Sequence, residues 1–183
     1  MRIADWRRFD RVIRMAGVCL SILLSIAATA RPVHGANAAC SAPEYRQFDF
    51  FAGDWDGFEL DKPDVKVARN RVSSILNGCV LLEDYRGADG SHGESFSIYD
   101  ASRKVWHQTW VTNRGALLVI EGGMHGDEMV LSGSDRTLDG KERLVRGVWK
   151  AVRGGVRETA VRSVDGGKTW TPWFDMIFRP ARK

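Results

Sequence analysis

Four ionisable side chains interrupt otherwise apolar stretches of this 183-residue chain: Glu83 in VLLEDY, Glu121 in LLVIEGG, Arg157 in GVRETAV and Asp175 in WFDMIF. An ion buried without a partner costs several kcal/mol, so these groups either face water or answer one another inside the fold. The segment WHQTW adds a second signal. In an extended strand Trp106, Gln108 and Trp110 share one face. A glutamine between two tryptophans is expected to be buried, with its amide hydrogen-bonded. Glu83, Gln108, Trp110, Glu121, Arg157 and Asp175 therefore form the predicted ligand-binding set, a polar cluster that orients a small molecule within an apolar cavity. The same residues admit a plainer reading, in which the charges sit at strand ends or Arg157 pairs with a carboxylate to brace the structure. Glu83 and Glu121 could also act as a general acid/base pair.

Other chemistries lack their signatures. His92, His107 and His125 show no HxH, HExxH or CxxC spacing, so no metal site is expected and no cofactor. Neither a Gly-x-Ser-x-Gly elbow nor a phosphate-cradling Gly-x-x-x-x-Gly-Lys-Ser/Thr loop occurs. The residues assign no catalytic group.

Basicity is concentrated at the beginning of the chain. Arg2, Arg7, Arg8, Arg11 and Arg14 precede an apolar stretch from Met15 to Ala30, and Ala36-Asn37-Ala38 supplies small residues at a cleavage point. Residues 1–38 are read as an export signal, too short and too weakly apolar for a membrane span. Of 27 Lys+Arg and 23 Asp+Glu in the chain, 21 of each lie beyond it. A neutral mature chain offers no general surface for nucleic acid or anionic lipid, and it carries no membrane-spanning run. The expected location is periplasmic or secreted. Cys19 leaves with the signal, so Cys40 and Cys79 remain as one pair suited to an oxidising compartment. A rival reading acylates Cys40 as in a lipoprotein. Asn37-Ala38-Ala39 lacks the large aliphatic residue such a signal carries three positions upstream, and Cys79 would then be left alone.

Residues 39–183 have the length of one domain. No sustained 3.6-residue apolar period occurs there; only Glu44 to Phe51 could form a helical turn or two. Instead, β-branched and aromatic runs recur over residues 50–60, 65–76, 80–86, 94–99, 105–112, 116–121, 128–132, 142–151, 155–163 and 170–179. Tight turns such as Asn77-Gly78, Asp139-Gly140 and Gly154-Gly155 separate them. The predicted fold is all-β, an up-and-down antiparallel barrel of about ten strands, because closure removes the edges a long meander exposes. A barrel of this size encloses packed side chains or one small ligand. Trp55, Trp106, Trp110, Trp149, Trp170 and Trp173 are expected to fill its core.

Gly53-Asp54-Trp55, following Phe48-Asp49-Phe50-Phe51, resembles the Gly-x-Trp feature of calycin-like barrels, the group of lipocalin and nitrobindin type. In that group the Trp plugs the closed end beneath the first strand. The ordered blocks RQFDFFAGDWDG, ILNGCVLLEDYRG, WHQTWV, LLVIEGG and DGGKTW resemble a family of secreted bacterial proteins of unknown function within it. The resemblance spans residues 44–179 and implies the fold. Nitrobindin-like proteins hold haem through a C-terminal histidine; here the last is His125, which argues against haem. Ser163-Val164-Asp165-Gly166-Gly167-Lys168-Thr169-Trp170 resembles an Asp-box, a structural hairpin turn. Three functional classes stand open: a binder of a small apolar or amphipathic ligand, an isomerase or hydrolase using lumen carboxylates, and a solid-core interaction barrel. The oligomeric state is open too.

Overall fold

The computed structural model describes residues 39–137 and 139–182, and the predicted export signal lies outside them. Ten strands follow in order: β1 (Gly53–Glu59), β2 (Lys66–Ile75), β3 (Val80–Gly87), β4 (His92–Asp100) and β5 (Val105–Thr112), then β6 (Leu117–His125), β7 (Glu128–Arg136), β8 (Glu142–Val152), β9 (Gly155–Ser163) and β10 (Thr171–Pro180). Each pairs antiparallel with its sequence neighbours. β1 also pairs with β10, Trp55 lying opposite Pro180, so the sheet is a closed up-and-down barrel. That is the architecture implied by the resemblance to calycin-like barrels. Among the described residues no helix is long and apolar enough to cross a membrane.

Period-two alternation sets the lumen. In β9, Val156 and Ala160 are buried, and in β10 Met176 and Phe178 are. β4 inverts the usual polarity: Gly93, Ser95 and Ser97 point inward while Phe96 and Ile98 remain exposed outside.

One end is shut by the chain that precedes β1. The helical turns expected between Glu44 and Phe51 appear as two 3-10 turns, Pro43–Arg46 and Asp49–Phe51. Residues 50–52 thus belong to this plug and not to the first strand. Phe48 and Phe51 are its buried wedges, packed on Trp106, Trp149 and Phe178. Trp106 Nε1 donates to Gln47 Oε1 at 3.1 Å, and Trp55 Nε1 donates to the Phe51 carbonyl at 2.9 Å. Trp55 thereby braces the plug, while the phenylalanines fill it.

A disulfide joins Cys40 to Cys79, with Cα atoms 5.1 Å apart. Asn77 (φ 58°) and Gly78 (φ 84°) take left-handed conformations that aim Cys79 back at the plug. Arg46 donates to the Gly78 carbonyl and pairs with Asp49 at 3.3 Å, tying the same two segments together.

The opposite end is ringed by loops. Between β9 and β10, Asp165 accepts hydrogen bonds from the Thr169 backbone N–H (2.9 Å) and hydroxyl (2.6 Å), the turn expected of an Asp-box. Two tryptophans expected in the core sit at this end instead. Trp170 lies under the Arg146 guanidinium at 4.5 Å, and Trp173 stacks with Arg162. A bulge between Pro172 and Phe174 breaks the alternation of β10 and leaves Trp173 half-exposed at the rim.

Candidate functional site

Between the plug and the open end lies a cavity of about 620 Å³. Tyr85, Trp110, Trp149, Phe174 and Met176 form much of its wall. Gly93 and Gly147 leave room for two of these rings: a Cβ at either position would run into Trp110 or Trp149. Glu59, Asp89, Arg114 and Trp173 also line it, with Asp89 and Arg114 on exposed loops.

The lumen also contains a polar network, assembled by strand register. Glu83 of β3 faces Ser95 of β4, and Ser97 of β4 faces Gln108 of β5. The Glu83 carboxylate accepts from Asn70 Nδ2 and from Ser95 Oγ, each at 2.8 Å. Gln108 Nε2 donates to Ser97 Oγ at 3.0 Å. Asn70 and Ser95 are 0% exposed, Gln108 4% and Glu83 7%. Asn70 Oδ1 has no partner.

A second carboxyl, Glu158, enters from β9 between Val156 and Ala160 and lines the same cavity. Its accessible surface faces the lumen. Burial pushes its pKa well up, the nearby Glu83 pushes it further, and the Trp149 indole N–H, short of true hydrogen-bond geometry, opposes them. Burial also raises Glu83, but the Ser95 and Asn70 donors favour its charged form. The donors therefore place the ionised state on Glu83 and leave the proton to Glu158. Tyr85, buried among these acids, is pushed up to about 12, first by desolvation.

These shifts have opposite stability consequences from those of surface acids. A raised carboxyl binds extra protons in the folded state, so its contribution is full below the ordinary glutamate value of 4.5 and is lost as pH rises toward the folded pKa. Glu158→Gln is expected to stabilise the protein by about 1–2 kcal/mol at pH 8 and to give no gain at pH 4. Denaturant midpoints across that range check it; an equal effect at both ends would show that Glu158 carries no raised pKa.

Of the six residues predicted to bind ligand, Glu83, Gln108 and Trp110 meet in the lumen. Gln108 is buried and bonded as expected. The other three are on the outer wall, a correction to the single cluster expected. Glu121 pairs with Arg103 at 2.8 Å and with His107 Nδ1 at 2.8 Å. Arg157 and Asp175 form a two-pronged pair at 2.9 and 2.6 Å, the bracing role of the plainer reading. Alternation explains this, since Ile120, Val156, Met176 and Phe174 beside them point inward.

Asn70, Ser95, Ser97, Trp149 and Glu158 were not among the predicted set. Glu158 was legible from phase, lying two residues from both Val156 and Ala160. Among the described residues no three His, Cys, Asp or Glu side chains group as a metal cage. No family model matches the chain, and no curated protein matches it.

Proposed function

We propose that this is an exported barrel of the calycin-like group, periplasmic or secreted, that binds a small, partly apolar molecule in its lumen. The observation that carries the reading is a cavity of about 620 Å³ joining an aromatic wall to a hydrogen-bonded polar cluster. A solid-core barrel has no use for such a space. The Cys40–Cys79 bond fits an oxidising compartment.

N-phenyl-1-naphthylamine, a neutral apolar dye, is expected to gain fluorescence on entering the lumen. Trp110→Ala should weaken its binding about tenfold by removing one aromatic wall. Glu121→Gln, on the outer wall, should leave it unchanged. Absence of enhancement in the folded protein, or equal binding by the Trp110 variant, counts against the lumen as the site.

The Glu83 and Glu158 pair favours a second reading, proton transfer on a bound substrate with Glu83 as base and Glu158 as acid. Turnover lost in both Glu83→Gln and Glu158→Gln while binding survives would select it.

A further inference from the structure

We infer that the lumen selects an organic ammonium, a primary amine on an apolar or aromatic body, with its charged head between Glu83 and Glu158 and its body against Tyr85, Trp110 and Trp149. This deepens the lumen-binding reading and rests on it.

The argument begins with charge. Four carboxyl groups, Glu59, Glu83, Asp89 and Glu158, line the cavity against one guanidinium, Arg114. Arg114 is already paired with Asp89 at 3.0 Å on the exposed loops, so it does not answer the two deep acids. Among the described residues no lysine, arginine or histidine hydrogen-bonds Glu83, whose partners are the neutral Asn70 and Ser95. A carboxylate held this way lacks the counter-charge that buried ions ordinarily require. A ligand cation supplies it.

The geometry of acceptors gives an independent observation. Glu158 lines the cavity, and among the described residues no donor reaches its carboxyl in hydrogen-bond geometry, the Trp149 indole N–H included. An ammonium brings up to three N–H donors to a site whose unmet capacity is for donors. The wall suits such a guest too. Tyr85 and Trp110 meet edge to face at 6.0 Å, and aromatic faces attract cations as well as apolar bodies. An anionic ligand would meet two acids and gain no cation deep in the lumen.

The remaining titratable groups facing the cavity are Glu59 on β1, Tyr85 on β3, and Asp89 and Arg114 on the loops. None is a deep cation. The ammonium charge favours the ionised form of Glu158 as well as that of Glu83, so a proton held by Glu158 passes to the buffer as the guest enters. Binding should therefore release a proton.

Three naphthyl compounds of one shape test this at pH 7.5: 2-(1-naphthyl)ethylamine, 2-(1-naphthyl)ethanol and 1-naphthaleneacetate. Calorimetry should show the amine binding at least about tenfold more tightly than the alcohol, with the acetate weakest. Titrations in buffers of different ionisation enthalpy should report proton release with the amine alone. In Glu83→Gln and Glu158→Gln, each checked for folding by its melting curve, the amine preference should shrink to about threefold or less while the alcohol still binds. Equal binding of amine and alcohol, or preference for the acetate, overturns the ammonium assignment and leaves lumen binding standing. If none of the three binds the folded protein, both readings fall.

Discussion

Phe48→Ala is expected to cost the fold about 3–5 kcal/mol and to extend the cavity through the closed end of the barrel. Phe48 is 0% exposed and is the hub of the plug, with ring centroids 5.5 Å from Phe50, 5.6 Å from Phe51, 5.7 Å from Trp106 and 5.5 Å from Trp149. These rings come from the plug, β5 and β8, which cannot all collapse into the void because their strands are fixed by pairing on both sides. Both the transfer and cavity contributions should therefore be felt. The midpoint of urea unfolding measures the cost, and an unchanged m-value shows that the unfolded state was not altered. A loss below about 1 kcal/mol would mean that the plug is dispensable to the barrel. Trp149 also lines the lumen, so loosening its seat should weaken ligand binding without touching the polar cluster.

The strand order was legible because turn chemistry and alternation speak locally. Asn77-Gly78 and Asp139-Gly140 fall between strands, Gly154-Gly155 leads from the β8–β9 turn into β9, and each of the ten apolar runs overlaps one strand. The inward face was harder to read. Phe96, Ile98, Val111, Leu117 and Val119 are exposed on the outside of β4, β5 and β6, so apolar residues occur on both faces there and obscure the phase. That is how Glu121, outward beside Val119, could look like a buried acid. In β10 the phase was available: Phe174, Met176 and Phe178 share a face and send Asp175 outside.

The polar cluster itself could not be read locally. Asn70, Glu83, Ser95 and Gln108 come from four strands, and their meeting depends on the registers of three strand pairs. Ser95 and Ser97 carry no sign of burial in the sequence beyond alternation, and β4 places its larger apolar side chains outside. Gln108 succeeded because its flanking tryptophans marked its face. Glu158 is masked in the sequence by its neighbour Arg157, the more conspicuous charge in the same apolar run, which braces Asp175 on the outer wall.

Removing the covalent tie of the plug should have a comparable effect to removing its wedge. Cys40→Ser with Cys79→Ser is expected to destabilise the protein by about 3–4 kcal/mol, from the unfolded-chain entropy that a 39-residue separation constrains. The position of the bond adds a local consequence. It holds the segment ahead of Phe48 against the β2–β3 connection, where Arg46 supplies only exposed polar contacts. Exposed ion pairs contribute little on their own. In the double variant, hydrogen exchange should therefore rise first at residues 43–51, ahead of the β5 to β9 wall, and the lumen should open from below. The oxidised wild-type protein should titrate no free thiol after residue 38, and its intact mass should carry no diacylglyceryl group. Two reactive thiols, or an acylated Cys40, would return the lipoprotein reading and remove the tether; exchange rising uniformly in the double variant would show that the bond steadies the whole barrel and not its plug.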